Sequence, residues 1–209
     1  MQNINFSNCA KFLGVTIDTN LSWSVHINNI VSKLSKGVGV ISRLRHTLPT
    51  NLLIKIYYIL IMPYLTYCCV IWGNSALTHL KKNIVIQKKC IRIITKSHFI
   101  AHTEPLYHQL NILCFTDIVY VQNAVFMYQF TNNLLSPDFK HLFMYHNYST
   151  RQFNKLKIPL FRLTISQAHI HFIGVGIWNS LPTYLKTSKN ITIFKLRIKR
   201  HISTYIETT

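Results

Sequence analysis

A chain of 209 residues that is 49% hydrophobic is long enough to bury one large core or two small ones. Its 23 Lys and Arg stand against only 5 Asp and Glu, a formal net charge of +18. That imbalance calls for a polyanionic partner, nucleic acid first and anionic membrane second, and argues against an independent enzyme built on carboxylates.

Cys9 to Ile17 holds an apolar run around Gly14 and ends in the turn cluster Asp18-Thr19-Asn20, which predicts a short hairpin. Ser22 or Ser24 is the expected cap of a helix reaching about His46, with Ile27, Ile30, Val31, Leu34, Val38 and Ile41 inward and Lys33, Lys36 and Arg43 on the other side. Gly37 and Gly39 weaken that helix, and both are read as points of close approach by a neighbouring helix. Leu52 to Trp72 follows, apolar all round apart from Lys55 and Thr66, which predicts a buried helix kinked near Ile59 to Met62 by Pro63. The part from Ile56 to Trp72 spans roughly 25 Å at helical rise, short of a bilayer core of about 30 Å. A bundle core is the favoured reading, and a membrane anchor over 56–72 is the alternative. A third helix is predicted from about Leu77 to Thr95, then a short one capped by Thr103 and closed by Asn111. Another runs from Thr116 to Asn133, with Ile118, Val121, Val125 and Tyr128 inward. Residues 137–165 show no helical period and read as an irregular basic linker. Two more helices follow, about Gln167 to Ser180 and a last one capped by Thr192 with Phe194, Ile198, Ile202 and Tyr205 inward. The fold class expected is mainly α, with a short N-terminal β-hairpin, a helical bundle and a helical C-terminal region.

Several strings, taken in order, resemble one family: KFLGVTIDTNLSW at 11–23, PYLTYCCVIWGN at 63–74, IQKKCIRIIT at 86–95, YSTR at 148–151, GVGIWNSLP at 174–182 and FKLRIKR at 194–200. Together they are similar to the carboxy-terminal part of jockey-like non-LTR retrotransposon reverse transcriptases. The resemblance implies a primer-grip-like hairpin at 1–23 (the end of the palm), a thumb-like helical bundle at 24–97 and the element's C-terminal region at 98–209. It implies RNA or an RNA/DNA duplex as partner, held through phosphates, together with palm and fingers that this sequence does not contain. Two-metal polymerase chemistry needs converging carboxylates. The five acids here, Asp18, Glu104, Asp117, Asp138 and Glu207, are scattered without an Asp-Asp pair. No catalytic residue, metal ligand or cofactor is therefore assigned to this chain, and magnesium is expected only with the palm.

Eleven candidate contacts to nucleic acid emerge. Lys81, Lys88, Lys89, Arg92 and Lys96 recur at i, i+7, i+8, i+11 and i+15, which gathers them along one helix as a stripe able to follow phosphates, the alternative being a solvated face. Lys11, Phe12 and Gly14 follow from the primer-grip resemblance. Arg151, Lys155 and Lys157 are interleaved with Tyr145, Tyr148, Phe153 and Phe161, a mixture suited to phosphate contact with base stacking. Among the eleven histidines, the pairs His98/His102 and His169/His171 invite a metal reading, but neither has a CxxC or carboxylate to complete a site, and solvent or core positions are expected. The five cysteines have no disulfide spacing and predict buried, reduced thiols. The first residues lack a charged and an apolar signal region, so an intracellular protein is expected, nuclear or cytoplasmic.

Overall fold

The computed structural model describes residues 8–146 and 155–206, the last four by backbone alone. Eleven α-helices and a two-stranded antiparallel hairpin occur among these residues, so the fold is mainly α with a short N-terminal β-hairpin. The chain divides into two compact units: Met1–Cys68 with Ser75–Phe115, and Cys69–Asn74 with Thr116–Thr209.

In the first unit, β1 (Cys9–Phe12) pairs with β2 (Val15–Asp18) from Cys9↔Asp18 to Phe12↔Val15. The two-residue turn places Leu13 and Gly14 at φ 45° and 83°, the positive pair that a tight hairpin turn requires. Gly14 meets this freely and Leu13 does not; the Tyr67 hydroxyl donates to the Leu13 carbonyl at 2.6 Å and fixes it. Asp18 then organises the entry to α1 (Ser24–Leu44). Its carboxylate accepts from Ser22 N–H at 2.8 Å, Ser22 Oγ at 3.0 Å and Trp23 N–H at 2.9 Å. Trp23, left-handed at φ 63°, is the N-cap residue and makes no side-chain cap, while the expected Ser22, one position earlier, accepts from Ser24 N–H through its Oγ at 3.3 Å.

The apolar run is not one helix. It breaks into α2 (Thr50–Leu60), α3 (Met62–Thr66) and α4 (Cys69–Trp72), first at Ile61 just before Pro63, where the kink was expected, and again at Cys68 with φ 50°. Nor is it buried all round. Leu53, Tyr57, Ile61, Leu65 and Cys69 are fully buried at every fourth residue, while Ile59, Tyr64 and Tyr67 are exposed. Among the described residues no single helix is long and apolar enough to cross a membrane.

α5 (Leu77–Ile94) runs beside α1, and α6 (Glu104–Leu110) follows, closed by left-handed Asn111. A buried polar cluster ties α2, α5 and α6 together. Gln87 Nε2 donates to the Tyr57 hydroxyl at 2.8 Å and to the Leu113 carbonyl at 3.0 Å, and Tyr107 donates to Gln87 Oε1 at 3.1 Å. Burial pushes both phenols well above the usual tyrosine range, so they stay neutral donors and acceptors.

The second unit contains α4, α7 (Phe115–Thr131, from Thr116 on), a 3₁₀ turn at Pro137–His141, α8 (Thr164–Gln167), α9 (Ile170–Ser180), α10 (Thr183–Lys186) and α11 (Ile191–Ile206). Gly73 lets α4 sit on α7: an added Cβ would lie 2.8 Å from Val119. Asn74 and Asn123 exchange amide hydrogen bonds at 2.9 and 3.4 Å. Tyr128 stacks on Phe194 with ring centroids 4.5 Å apart, and its hydroxyl donates to the Ser188 carbonyl at 2.7 Å. Asn179 clamps Leu156 from both sides of its peptide, at 3.1 and 2.8 Å, and holds the short bridge Leu156↔Tyr145. The start of α11 is capped by Asn190, whose Oδ1 accepts from Ile193 N–H at 2.8 Å, rather than by Thr192.

Candidate nucleic-acid interface

On α5 the helical period puts Leu80, Asn83, Gln87, Cys90, Ile91 and Ile94 inside the first unit and turns Lys81, Lys88 and Arg92 the other way. Lys81, Lys88 and Lys89 are exposed. Arg92 is half-buried, because its Nε donates to the Ala101 carbonyl at 2.8 Å and braces the loop after the helix. Lys96 lies beyond the C-cap Thr95 at φ 57°, so the helix itself carries four of the expected five. Exposed Leu77 and Val85 alternate with the cations on this face.

The α5 cations do not stand alone. Lys82 reaches α1 and donates to Asn28 Oδ1 at 2.7 Å. One turn further on, Lys89, Ile86 and Ile93 of α5 and Ser35, Val38, Gly39 and Ser42 of α1 line an open concavity of about 220 Å³. The two helices therefore run side by side in the same direction. Of the two glycines of α1, Gly37 has the expected neighbour, since an added Cβ would be 2.9 Å from Ile61 and 3.4 Å from the Leu60 carbonyl. Gly39 does not: nothing lies within 4 Å of its Cβ position.

The hairpin supplies a second cationic cluster. Lys11 and Thr16 are cross-strand partners and share a face, while Phe12, 66% exposed, pairs with Val15 on the opposite face. Lys11 and Phe12 accordingly cannot serve one contact. Lys11, Gly14 and Thr16 border an open cavity of about 360 Å³ with His26, Asn29, Ser32, Lys33 and Lys36 of α1. The hairpin is pinned there by Thr16 N–H donating to His26 Nδ1 at 3.2 Å and by Asn29 Nδ2 on Thr16 Oγ1 at 3.4 Å. Desolvation first, and the charge of Lys33 second, lower the His26 pKa and keep the ring a neutral acceptor. Sequence reasoning placed Lys33 and Lys36 on a polar helix face and did not join them to Lys11. Their i, i+3 spacing was the only signal, and the partner sits across a turn.

Lys155 and Lys157 are exposed in the second unit, flanking buried Leu156. Arg151, with Tyr148 and Phe153, lies outside the described residues. In the same unit Lys186 packs 5.8 Å over the Trp178 ring, and desolvation together with Lys155 lowers its pKa.

A pair of magnesium ions does not fit this chain's described carboxylates. Asp18 is committed to the turn before α1, Glu104 and Asp117 sit in the first turns of separate helices, and no three His, Cys, Asp or Glu side chains converge among the described residues. The thiols differ from expectation in burial. Cys69 and Cys90 are buried, but Cys9 is exposed and Cys68 and Cys114 are half-buried; burial pushes the Cys90 thiol up to about 12 and leaves it unreactive.

Comparison with known proteins finds relatives among retrotransposon polymerases. Over 110 residues, half of its length, the chain is 32% identical to a probable RNA-directed DNA polymerase from transposon X-element of Drosophila melanogaster. Over 105 residues it is 30% identical to the RNA-directed DNA polymerase from mobile element jockey of the same species, and 29% identical to that of Drosophila funebris. Each match covers 12% of the relative's own length. No family model matches the chain, and no solved structure matches it.

Proposed function

We propose, from the premise that this chain carries a jockey-like non-LTR retrotransposon reverse-transcriptase region, that it binds RNA or an RNA/DNA duplex through phosphates and performs no polymerase chemistry itself. In this reading residues 24–97 are the thumb-like bundle, the hairpin before them is the primer-grip-like element, and the parent polymerase's palm supplies the metal-binding carboxylates. The observation that carries the proposal is the basic face of the first unit. All five cations stand on α5, Lys81, Lys88 and Arg92 along one face and Lys82 and Lys89 beside α1, spaced along the helix as a backbone-tracking surface needs. Exposed Leu77 and Val85 between the cations give the same face apolar contact with sugars.

The test is the salt dependence of binding. Replacing Lys81, Lys88 and Arg92 together by Gln should flatten the slope of log affinity against log salt by roughly 2 to 3 units, since each released phosphate counterion contributes about 0.7 to 0.9. Helix propensity is nearly unchanged by Gln, and circular dichroism checks that losing the Arg92–Ala101 hydrogen bond leaves the fold intact. The control is Lys140, Lys189 and Lys195 changed to Gln, three exposed cations of the second unit. Lys33, Lys36 and Arg43 would be a poor control, because two of them line the hairpin cavity. Equal losses in both triple variants would reduce the α5 face to general charge.

A further inference from the structure

The cavity between the hairpin and α1 has a different character from the α5 face. Three lysines, Lys11, Lys33 and Lys36, border one opening, and none of the lining residues is an acid. Thr16, Asn29 and Ser32 add hydroxyl and amide groups to the same wall, two of them already linked by the 3.4 Å hydrogen bond. The walls are held from both sides: Tyr67 fixes the hairpin tip, Asp18 fixes the entry to α1, and His26 accepts from the β2 backbone. Lys33 Nζ lies 5.3 Å from the centre of the Tyr64 ring, which steadies this side chain.

An extended surface that follows a strand needs about one cation per diester, because each diester carries one negative charge. Three lysines lining a single opening of about 360 Å³ exceed that demand. A phosphate monoester, carrying nearly two charges at neutral pH and three strong acceptor oxygens, matches it. We infer that the Lys11–Lys33–Lys36 cavity binds a terminal phosphate monoester, the phosphorylated end of a nucleic-acid strand. This rests on the nucleic-acid reading above and adds to it an end-recognising site apart from the α5 stripe.

The experiment compares three fluorescent 12-nucleotide RNAs of one sequence, bearing a 5′-phosphate, a 3′-phosphate or hydroxyls at both ends, on the full chain at constant salt. One phosphorylated end should bind about tenfold tighter than the hydroxyl-ended strand. Lys33→Gln/Lys36→Gln should bring that ratio to about one, and the single variant Lys36→Gln should reduce it. Lys36→Arg should retain it, and the α5 triple variant should weaken all three RNAs while leaving the ratio intact. Circular dichroism checks that the folds are equal. Equal affinity of the wild-type chain for all three ends, or a preference that survives Lys33→Gln/Lys36→Gln, would overturn the inference while the phosphate-tracking role of α5 stands. Conversely, inorganic phosphate that shifts the NMR signals of Lys11, Lys33 and Lys36, with no RNA bound by the chain, would support the cavity and sink the nucleic-acid reading instead.

Discussion

Two helices carry the same short pattern, Gly37-Val38-Gly39-Val40 in α1 and Gly174-Val175-Gly176-Ile177 in α9, one in each compact unit. In both, the first glycine faces inward against a neighbour: Gly37 against Leu60 and Ile61, Gly174 against Met127, whose sulfur would lie 2.8 Å from an added Cβ. In both, the second glycine faces open space. There the likeness ends. Gly39 borders a concavity with Lys89 and two serines, whereas α9 carries no Lys or Arg at all and Gly176 has Phe172, Ile173 and Ser180 one turn away. The interiors differ as well. The first unit is cross-linked by the Tyr57–Gln87–Tyr107 hydrogen bonds, the second by the Tyr128–Phe194 stack and the Asn74–Asn123 pair. Equal local sequence thus fixes which face turns inward, and the neighbours decide whether the outer face has chemistry to offer.

The largest effect that would test this contrast is Gln87→Leu, which leaves the Tyr57 and Tyr107 hydroxyls and the Leu113 carbonyl without their partner. At about 1 to 3 kcal/mol for each stranded group, the first unit should lose about 3 kcal/mol or more in urea unfolding. A loss below about 1 kcal/mol would mean the polar cluster does not hold that unit together. Next come the glycines. Gly37→Val and Gly174→Val should each cost about 1 to 3 kcal/mol by overpacking, while Gly39→Ala and Gly176→Ala should each gain about 0.5 to 1 kcal/mol, because alanine fills open space and improves the helix. If all four changes were destabilising, the inward and outward assignment would be wrong.

The smallest expected effect is on pH and concerns the first unit alone. His26 has a folded pKa below its ordinary 6.5, so its contribution is fully present above that pH and is lost as pH falls through the lower folded value. Asp18 behaves in the same sense lower down. Desolvation raises its pKa, but the hydrogen bonds from Ser22, Trp23 and Asn20 outweigh it and leave the carboxyl below 3.8. Amide protection factors of the hairpin, corrected for the intrinsic exchange rate, should therefore fall modestly below about pH 6.5 and again below about pH 4, and His26→Gln should remove the first step. Protection in α9 and α11 should not follow those steps.

Periodicity carried much of this protein. The inward faces of α1 and α7, Ile27, Ile30, Leu34, Val38 and Ile41 and then Ile118, Val121, Val125 and Tyr128, are buried where helical spacing put them, while Val31, expected inward as well, is only half-buried. The break before Pro63, the closure of α6 at Asn111 and the run of α5 were equally legible, because capping, proline and residue spacing act within a few positions of the chain. The Lys81, Lys88 and Arg92 stripe belongs to the same class of information, since it depends only on 3.6 residues per turn.

What tertiary structure decided lies in contacts between distant residues. Nothing local told that Leu52 to Trp72 would split at Cys68 and bury one residue in four, because uniform hydrophobicity carries no phase. Asn83 and Gln87 look polar and outward, yet both are buried. Gln87 is matched by a tyrosine 30 positions before it and another 20 after it, while neither amide atom of Asn83 has a hydrogen-bond partner among the described residues. The Lys11, Lys33 and Lys36 cavity depends on contacts between distant residues, among them Tyr67, 54 residues along the chain, which holds a turn in which Leu13 is left-handed, and His26, which holds β2. A single chain determines its helices from short-range sterics and hydrogen bonding, but the convergence of charges from two elements is set by packing, which no pattern along one element records.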